Sequence, residues 1–245
     1  MKTVGIIGCG AIGTLIVEAA GKKIVPCDRL ILFDRDVLKA EKLAKLSRLP
    51  TQVAHSLEEM IQLKPAVIVE AASQQAARQY SRLILSAGIE LIVMSVGALL
   101  DIDLKDRRIH FPSGAIGGLD ALAAARLADV AEVILTSRKN PRTLDLDNRA
   151  ERVVFEGSAK EAVDRFPREM NVAAALALTV GLDRVKVRVV SDPKVQRNVH
   201  EVQVKWRHGD MLLKFSNDPH PDNPKTSALA AWSAIALLKE ILEKK

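Results

Sequence analysis

The sequence predicts an α/β fold in which a doubly wound parallel sheet is joined to a smaller α+β domain with a mostly antiparallel sheet. Up to about residue 100, short apolar strands alternate with segments of helical periodicity. A glycine-rich turn lies between the first strand and the first helix, at 8–13. Beyond about residue 108, strands in which apolar and polar residues alternate become more frequent. These observations predict a first domain at 1–107 and a second at 108–224.

The glycine turn follows the first predicted strand, Val4–Ile7, without a break. Gly8 permits a tight turn, and Gly10, which has no Cβ, lets a pyrophosphate approach the backbone. Gly13 allows the next helix to pack close to the strand, and the helix N-terminus offers N–H groups to phosphates. The turn therefore predicts a Rossmann dinucleotide-binding domain. The turn residues expected to contact the dinucleotide are Gly8, Gly10, Ala11, Ile12 and Gly13.

An acidic residue ends the second predicted strand, Leu30–Phe33. This residue, Asp34, lies 21 residues after Gly13, where a carboxylate hydrogen-bonds the adenosine ribose. A carboxylate at this position repels a 2′-phosphate, which favours NAD over NADP. Arg35 is the next residue and could offset that repulsion, so the use of NADP stays open.

The remaining elements of the first domain continue the alternation that is typical of a doubly wound sheet. A helix is expected at 37–49, stopped by Pro50, and a second helix is expected to be capped by Ser56. The other predicted elements are strands at Thr51–Ala54, Ala66–Ala72 and Leu91–Ser95 and a helix at Gln75–Ala87.

The second domain is expected to mix short helices with longer strands. Its predicted strands are Glu132–Arg138, Arg152–Phe155, Val185–Val190, Val199–Arg207 and Met211–Ser216. Its predicted helices are Gly118–Arg126, Lys160–Phe166 and Asn171–Val180. A final apolar helix at Ser227–Glu243 is expected to bring the segment 225–245 back onto the first domain.

Composition limits the classes of protein. The net charge is +6, but Lys and Arg are scattered without a basic run, so no nucleic-acid partner is expected. No apolar run reaches the ~18 residues of a membrane span, and the chain opens on a core strand rather than a signal peptide. Cys9 and Cys27 are too few for a disulfide framework, which favours a cytoplasmic location. The histidines show no ligand spacing, so no metal site is expected.

Four further segments carry polar or small residues where elements begin. They are the runs PSGAIGGLDAL at 112–122, NVAAALAL at 171–178, NVH at 198–200 and NPKTSALA at 223–230. Together with the glycine turn, and in this order, they resemble the L-aspartate dehydrogenase family over nearly the whole chain. The resemblance implies NAD(P)-dependent oxidative deamination of L-aspartate to iminoaspartate. That product either hydrolyses to oxaloacetate and ammonia or feeds quinolinate synthesis for NAD.

The resemblance also assigns residues and an assembly. It places the family's catalytic histidine on His200 and its contacts near the nicotinamide on Ala115 and Asn171. It implies a homodimer with the sheet of the second domain at the interface. A second histidine, His220, lies in a proline-bounded segment where the family pattern has no catalytic residue.

The chemistry of amine oxidation calls for a base near the substrate, because the amine must be neutral before a hydride leaves Cα. Histidine suits this role, and the same side chain can activate water for hydrolysis of the imine. A dicarboxylate substrate needs cationic or N–H donors. Ser113, Lys225 and Thr226 are the candidates for this contact.

Two other functions stay open at this point. One is a related reductase or dehydrogenase of the dihydrodipicolinate reductase or homoserine dehydrogenase type, which joins similar domains. The other is a non-catalytic redox sensor that binds NAD(H) and regulates a partner without needing a base.

Overall fold

The computed structural model describes residues 1–102, 106–220 and 223–245, with only the backbone described at 220 and 223–226. The chain forms two compact units. The first comprises 1–112 together with 231–245, and the second comprises 113–230. The divisions therefore fall after Pro112 and Ala230, where the sequence suggested 107 and 224. The first shift has a simple cause, because Ile109–His110 is an edge strand of the first unit's sheet.

The first unit is built on a parallel sheet. Its strands are β1 (Thr3–Ile7), β2 (Arg29–Phe33), β3 (Thr51–Val53), β4 (Val67–Glu70), β5 (Glu90–Val93) and β6 (Ile109–His110). Their order in the sheet is β3-β2-β1-β4-β5-β6, and each described pairing is parallel. The chain thus runs outward from β1 to one edge and then crosses over to build the other half. This order confirms the predicted doubly wound sheet.

Helices connect these strands and cover both faces of the sheet. They are α1 (Ala11–Gly21), α2 (Val37–Leu46), α3 (Leu57–Gln62) and α4 (Gln74–Ser86). The central strands are buried along their whole length because they have neighbours on both faces. Helix α2 ends at Leu46, before the predicted stop at Pro50, because the backbone of Ser47 is already extended.

The C-terminal helix supplies part of the first unit's core. Helix α8 spans Ala228–Glu243 and buries one apolar stripe. Ile235, Leu238 and Leu242 belong to the same buried cluster as Val4 on β1 and Ile16 on α1. Burial of each such side chain contributes roughly 1.5–3 kcal/mol. The end of the chain is therefore structural for the first unit.

The second unit contains a five-stranded mixed sheet with helices on one face. Its strands are β7 (Val130–Lys139), β8 (Arg152–Ser158), β9 (Val185–Ser191), β10 (Asn198–Trp206) and β11 (Gly209–Asn217), and its helices are α5 (Leu119–Leu127), α6 (Ala159–Arg165) and α7 (Asn171–Val180). The order is β11-β10-β7-β9-β8. The pairing of β7 with β9 is parallel and the others are antiparallel, as expected for a mostly antiparallel sheet.

A short hairpin arm precedes the final helix. Asn223–Ser227 forms the strand β13, which pairs with β12 at Pro219–His220. Strand β13 ends at Ser227, and α8 begins at the next residue, Ala228, where the sequence predicted a start at Ser227.

Candidate functional site

A cavity of about 600 Å³ opens at the carboxyl ends of β1, β2 and β4 in the first unit. Ligands of open α/β sheets bind at this edge, where the strand order changes direction. The lining includes the predicted residues Gly8, Gly10 and Asp34. It also includes Cys9, Thr14, Arg35, Lys39, Lys42, Ala71, Ala72, Ser73 and Tyr80. The volume falls in the range of about 300–1,000 Å³ that small-molecule sites have.

The three glycines of the turn are required for different steric reasons. Gly8 has φ +97°, and a Cβ there would lie 2.6 Å from the carbonyl oxygen of Ala71. A Cβ on Gly13 would lie 2.2 Å from the carbonyl oxygen of Gly8. A Cβ on Gly10 would meet nothing within 4 Å, so its backbone faces open space. The turn therefore closes tightly on the sheet and leaves Gly10 accessible, as a cradle for a pyrophosphate requires.

The first turn of α1 lies directly after Gly10, which is the N-cap residue and provides no capping side chain. Ala11 and Ile12 are the first helical residues, and Ile12 packs against the apolar core of the unit. Contact between a ligand and their backbone N–H groups stays a prediction. The free N–H groups and the helix dipole make this end suited to an anion.

Asp34 binds the glycine turn as well as facing the cavity. Its Oδ2 accepts a hydrogen bond from the backbone N–H of Cys9 at 2.8 Å, and its Oδ1 accepts one from the N–H of Asp36 at 2.9 Å. A carboxylate has about four lone-pair sites, so capacity for ribose hydroxyls remains. The predicted ribose contact stays a prediction, and the structure adds a second role in which Asp34 holds the turn.

The cysteines are poor candidates for chemistry. Burial, together with the charge of Asp34, raises the pKa of the Cys9 thiol to about 12. Burial and Asp28 raise the pKa of Cys27 to about 11. Because the thiolate is the reactive form, both thiols are inert near neutral pH.

His200 lies on β10 in the second unit and is 2 % exposed. Its Nδ1 lies 3.1 Å from the hydroxyl of Ser137 on the neighbouring strand β7. Burial, and to a lesser extent the charge of Lys139, lowers the pKa of His200 to about 3. The imidazole is therefore neutral at physiological pH, which is the form that can accept a proton.

Several polar side chains are buried on the face of the second sheet that the helices cover. They are Ser137 and Lys139 on β7, Ser191 on β9, and Asn198 and His200 on β10. Ser227, at the end of β13, is also buried. The amide of Asn198 donates to the hydroxyl of Ser227 at 3.4 Å. Polar groups are rarely concentrated on the core side of a sheet unless they are hydrogen-bonded or functional. Among them, His200 and the two β7 residues that act on it, Ser137 and Lys139, mark the candidate catalytic region of the second unit.

The predicted residue Ala115 is held against the hairpin that carries His200. The amide of Asn217 donates to the carbonyl oxygen of Ala115 at 2.8 Å, and Asn217 pairs with Asn198 across the hairpin. A Cβ on Gly117 would lie 3.6 Å from the ring of Phe215, the partner of His200 in the register. The structure therefore joins the segment after Ser113 to the β10–β11 hairpin.

The other predicted residues occupy separate positions. Asn171 is the first residue of α7, and Ser113, half-buried, begins the second unit. The backbones of Lys225 and Thr226 lie in β13, but their side chains fall outside the described part of the chain, as does that of His220. The proposed substrate contacts of these side chains stay predictions.

Ser137 and Lys139 were not among the residues predicted from the sequence. Both lie on β7 at positions where apolar residues would be expected, since Val133 and Leu135 precede them on the same face. That interruption of an apolar alternation was the available signal. Tyr80, which lines the cavity and contacts the edge of Phe33, gave no signal of its own.

Two features are absent from the part of the chain that the structure describes. Within 1–102, 106–220 and 223–245, no group of three or more His, Cys, Asp or Glu could hold a metal ion. Among the helices that the structure describes, none is long and apolar enough to cross a membrane.

The glycine turn, its cavity and the buried neutral histidine define a dinucleotide-dependent oxidoreductase. Two family models match the chain: "Homoserine dehydrogenase, NAD binding domain" at residues 8–109 and "Aspartate dehydrogenase, C-terminal" at 120–241. The first match confirms the predicted NAD-binding domain.

Comparison of the whole chain with similar proteins shows the same family. The chain is 43% identical to an L-aspartate dehydrogenase of Methanothermobacter thermautotrophicus, covering 99% of this chain and 97% of that protein. It is 39% identical to one of Archaeoglobus fulgidus, covering 98% of each. A crystal structure of aspartate dehydrogenase from Thermotoga maritima matches with a TM-score of 0.77 at 31% identity, over 98% of this chain and 97% of that one. The chain belongs to the L-aspartate dehydrogenase family, as its motifs predicted.

Proposed function

We propose that this protein catalyses the NAD-dependent oxidation of L-aspartate to iminoaspartate, with His200 as the base. The observation that carries the proposal is the buried, neutral imidazole of His200, hydrogen-bonded to Ser137, in a chain 43% identical to an L-aspartate dehydrogenase. In the reaction L-aspartate and NAD⁺ give iminoaspartate, NADH and a proton. Addition of water to the imine and loss of ammonia give oxaloacetate, unless the imine is consumed by quinolinate synthesis.

The cavity of the first unit suits the dinucleotide. Gly10 leaves room for the pyrophosphate, and Asp34 faces the same space with lone pairs for a ribose. When bound, NAD supplies the hydride acceptor. The cationic side chains of Arg35 and Lys39 line the cavity close to Asp34, so NADP is a second possible cofactor.

His200 accepts the proton that makes the amine neutral. If Nδ1–H donates to Ser137, the lone pair of Nε2 is available for this step. A pKa near 3 makes a weak base, but a dicarboxylate brings negative charge to the site and raises the pKa of the imidazole. The charge of Lys139 is one of the two causes that lower the pKa of His200. A substrate carboxylate that neutralised this charge would therefore raise the pKa further. Substrate binding therefore strengthens the base at the moment it is needed.

Ser113, Lys225 and Thr226 are proposed contacts for the two carboxylates. Carboxylates accept hydrogen bonds from ammonium, hydroxyl and backbone N–H groups. Ala115 and Asn171 are proposed to contact the nicotinamide half of the cofactor, following the family pattern.

The protein is proposed to form a homodimer through the open face of the second unit's sheet. On this face, Ile134 and Val199 are half-buried and Leu212 is 63 % exposed, among alternating charged side chains. Association with a second copy would cover these exposed apolar side chains. Light scattering after size exclusion measures the mass directly, and a monomer at working concentration would contradict this assembly. The free thiols of Cys9 and Cys27 support a cytoplasmic location.

The direct test is the formation of NADH from L-aspartate, measured by its absorbance. L-Glutamate and L-alanine are assayed separately as alternative substrates. Turnover with L-aspartate well above that with the other two amino acids is expected. Turnover confined to another amino acid would point to a related dehydrogenase. Tight NADH binding without turnover of any amino acid would instead favour a redox sensor.

A further inference from the structure

A buried carboxylate that the proposed reaction does not use lies beside the dinucleotide cavity. Glu70 is the last residue of β4 and is 1 % exposed. Its Oε1 accepts hydrogen bonds from the backbone N–H groups of Ala72 at 2.8 Å and Ser73 at 2.9 Å. The backbone N–H of Ser95 donates to Oε2 at 3.2 Å, and the hydroxyl of Ser95 donates to Oε1 at 3.1 Å. One carboxylate thus joins the chain after β4 to the chain after β5.

The hydrogen bonds of Glu70 indicate which protonation form its carboxyl group takes. The backbone partners of Glu70 are all donors, so the ionised, acceptor-only form satisfies them. The pKa of Glu70 lies above its usual value, because burial raises it by more than the hydrogen bonds from Ala72, Ser95 and Ser73 lower it. A buried carboxylate is costly unless it is fully hydrogen-bonded, and here its partners come from the loops after β4 and β5.

That loop is a wall of the cavity and also the support of the glycine turn. Ala71, Ala72 and Ser73 line the cavity. The missing Cβ of Gly8 would lie 2.6 Å from the carbonyl oxygen of Ala71 and 2.9 Å from the N of Ala72. The peptide between Ala71 and Ala72 therefore packs against Gly8, and its N–H donates to Oε1 of Glu70.

We infer that Glu70 is a positioning residue for the dinucleotide, which fixes the Ala71–Ser73 wall against the glycine turn without touching the cofactor itself. The inference rests on the proposed function only in taking NAD(H) as the ligand of this cavity. Loss of the carboxylate lets the wall move away from Gly8 and loosens the pyrophosphate cradle. Helix α4 moves with the wall, because Ser73 caps it by accepting from the N–H of Ala76 at 3.1 Å.

The test is a fluorescence titration of the whole protein with NADH. Glu70→Gln keeps the size of the side chain but presents an amide N–H₂ to backbone donors. The expected result is a Kd for NADH raised about tenfold or more, the size of a lost hydrogen bond to a charged group. The matched control is Glu59→Gln, because Glu59 also accepts from a backbone N–H, that of His55 at 2.7 Å, but lies outside the cavity wall. The control should keep the wild-type Kd.

Kinetics separate positioning from general destabilisation. Glu70→Gln should raise the KM for NAD and leave the KM for L-aspartate nearly unchanged, whereas a purely structural role would lower the melting temperature and leave the Kd of the folded fraction intact. If Glu70→Gln does not fold, Ser95→Ala removes one donor to the carboxylate and should weaken NADH binding a few-fold, with Ser95→Thr restoring it.

The outcomes are distinct. A wild-type Kd in folded Glu70→Gln, or in Ser95→Ala where that variant is used, overturns the inference and leaves the proposed function standing. Wild-type protein that does not bind NADH overturns both. Wild-type protein that binds NADH but does not oxidise L-aspartate overturns only the proposed reaction, and the titration of Glu70→Gln still decides the role of Glu70.

Discussion

The hydroxyl of Ser137 lies 3.1 Å from Nδ1 of His200, across adjacent strands of the second unit. The two residues are direct partners in the β7–β10 register, and both are buried. A hydrogen bond at one ring nitrogen fixes the tautomer and the ring plane, and thereby decides what the other nitrogen can do. Proton acceptance at Nε2 requires that Nδ1–H donate to Ser137.

Ser137→Ala is expected to lower kcat for L-aspartate about tenfold, because the imidazole loses the partner that selects its tautomer. The affinity for NADH should not change. Ser191→Ala is the matched control, since Ser191 is a buried serine on the adjacent strand whose hydroxyl donates to Asn148 instead. An equal loss of kcat in the two variants would mean that Ser137 acts only on packing.

His200→Ala should lower kcat by ~10²–10⁴-fold, the usual contribution of a general base, with little change in NADH binding. His220→Ala should cost far less, because the family pattern assigns no role to that position. Steady-state kinetics of both folded variants give the comparison. Near-normal turnover without His200, or a loss confined to the His220 variant, would reassign the base.

The depressed pKa of His200 predicts a pH dependence of stability. The folded protein keeps the imidazole neutral down to a pKa of about 3, whereas the unfolded chain protonates it near 6.5. The unfolded state therefore binds more protons below pH 6.5, and stability falls as the pH is lowered towards 3. The slope from this group is on the order of 1 kcal/mol per pH unit.

Urea denaturation of wild type and His200→Asn at pH 7.5 and pH 5 measures this slope. The variant has no group that titrates in this window at position 200, so its stability should change less between the two values. Parallel losses in the two proteins would show that other groups dominate the acid sensitivity.

Gly10→Val should fold but bind NADH poorly. A Cβ at Gly10 meets nothing within 4 Å in the protein, so the side chain occupies only the space reserved for the pyrophosphate. Gly13→Val is the contrasting variant, because its Cβ would lie 2.2 Å from the carbonyl oxygen of Gly8 and should prevent folding of the turn. Circular dichroism and NADH titration distinguish the two effects, and wild-type affinity in folded Gly10→Val would move the site elsewhere.

Asp34→Ala should reduce the preference for NAD over NADP, measured as the ratio of kcat/KM values. It should also weaken binding of both cofactors, because the hydrogen bond to the N–H of Cys9 is lost with the carboxylate. Arg35→Ala, which removes a cation from the cavity wall, should shift the ratio the opposite way. An unchanged ratio in both variants would exclude this pair as the selector.

The sequence predicted the first unit well because local signals and topology agree there. The glycine turn, the acidic end of β2 and the alternation of strands with helices each correspond to one step of a doubly wound sheet. Ser56 accepts from the N–H of Glu59 at 3.1 Å, as its position before α3 suggested. The strand β6 was missed because its two residues are too short for a period to show.

The candidate catalytic region was only partly predicted, since its members come from separate strands. His200 was identified through a family motif, but Ser137 lies 63 positions away in the chain, and only the register of β7 with β10 brings them together. Glu70 lay inside the predicted strand Ala66–Ala72, and no role was predicted for it. Its hydrogen bonds with Ala72 and Ser95 depend on how two strand ends meet. Such pairings are set by tertiary structure, and periodicity does not report them.

The path of α8 also bears on how the chain folds during synthesis. The second unit is continuous in sequence at 113–230, whereas the first needs 231–245 to complete its core. The inserted unit can therefore fold as soon as it emerges from the ribosome, while the sheet that begins the chain keeps an apolar groove open until Ile235 and Leu238 arrive. Chains that stop short of α8 would expose that groove, and exposed apolar surface of this kind favours aggregation.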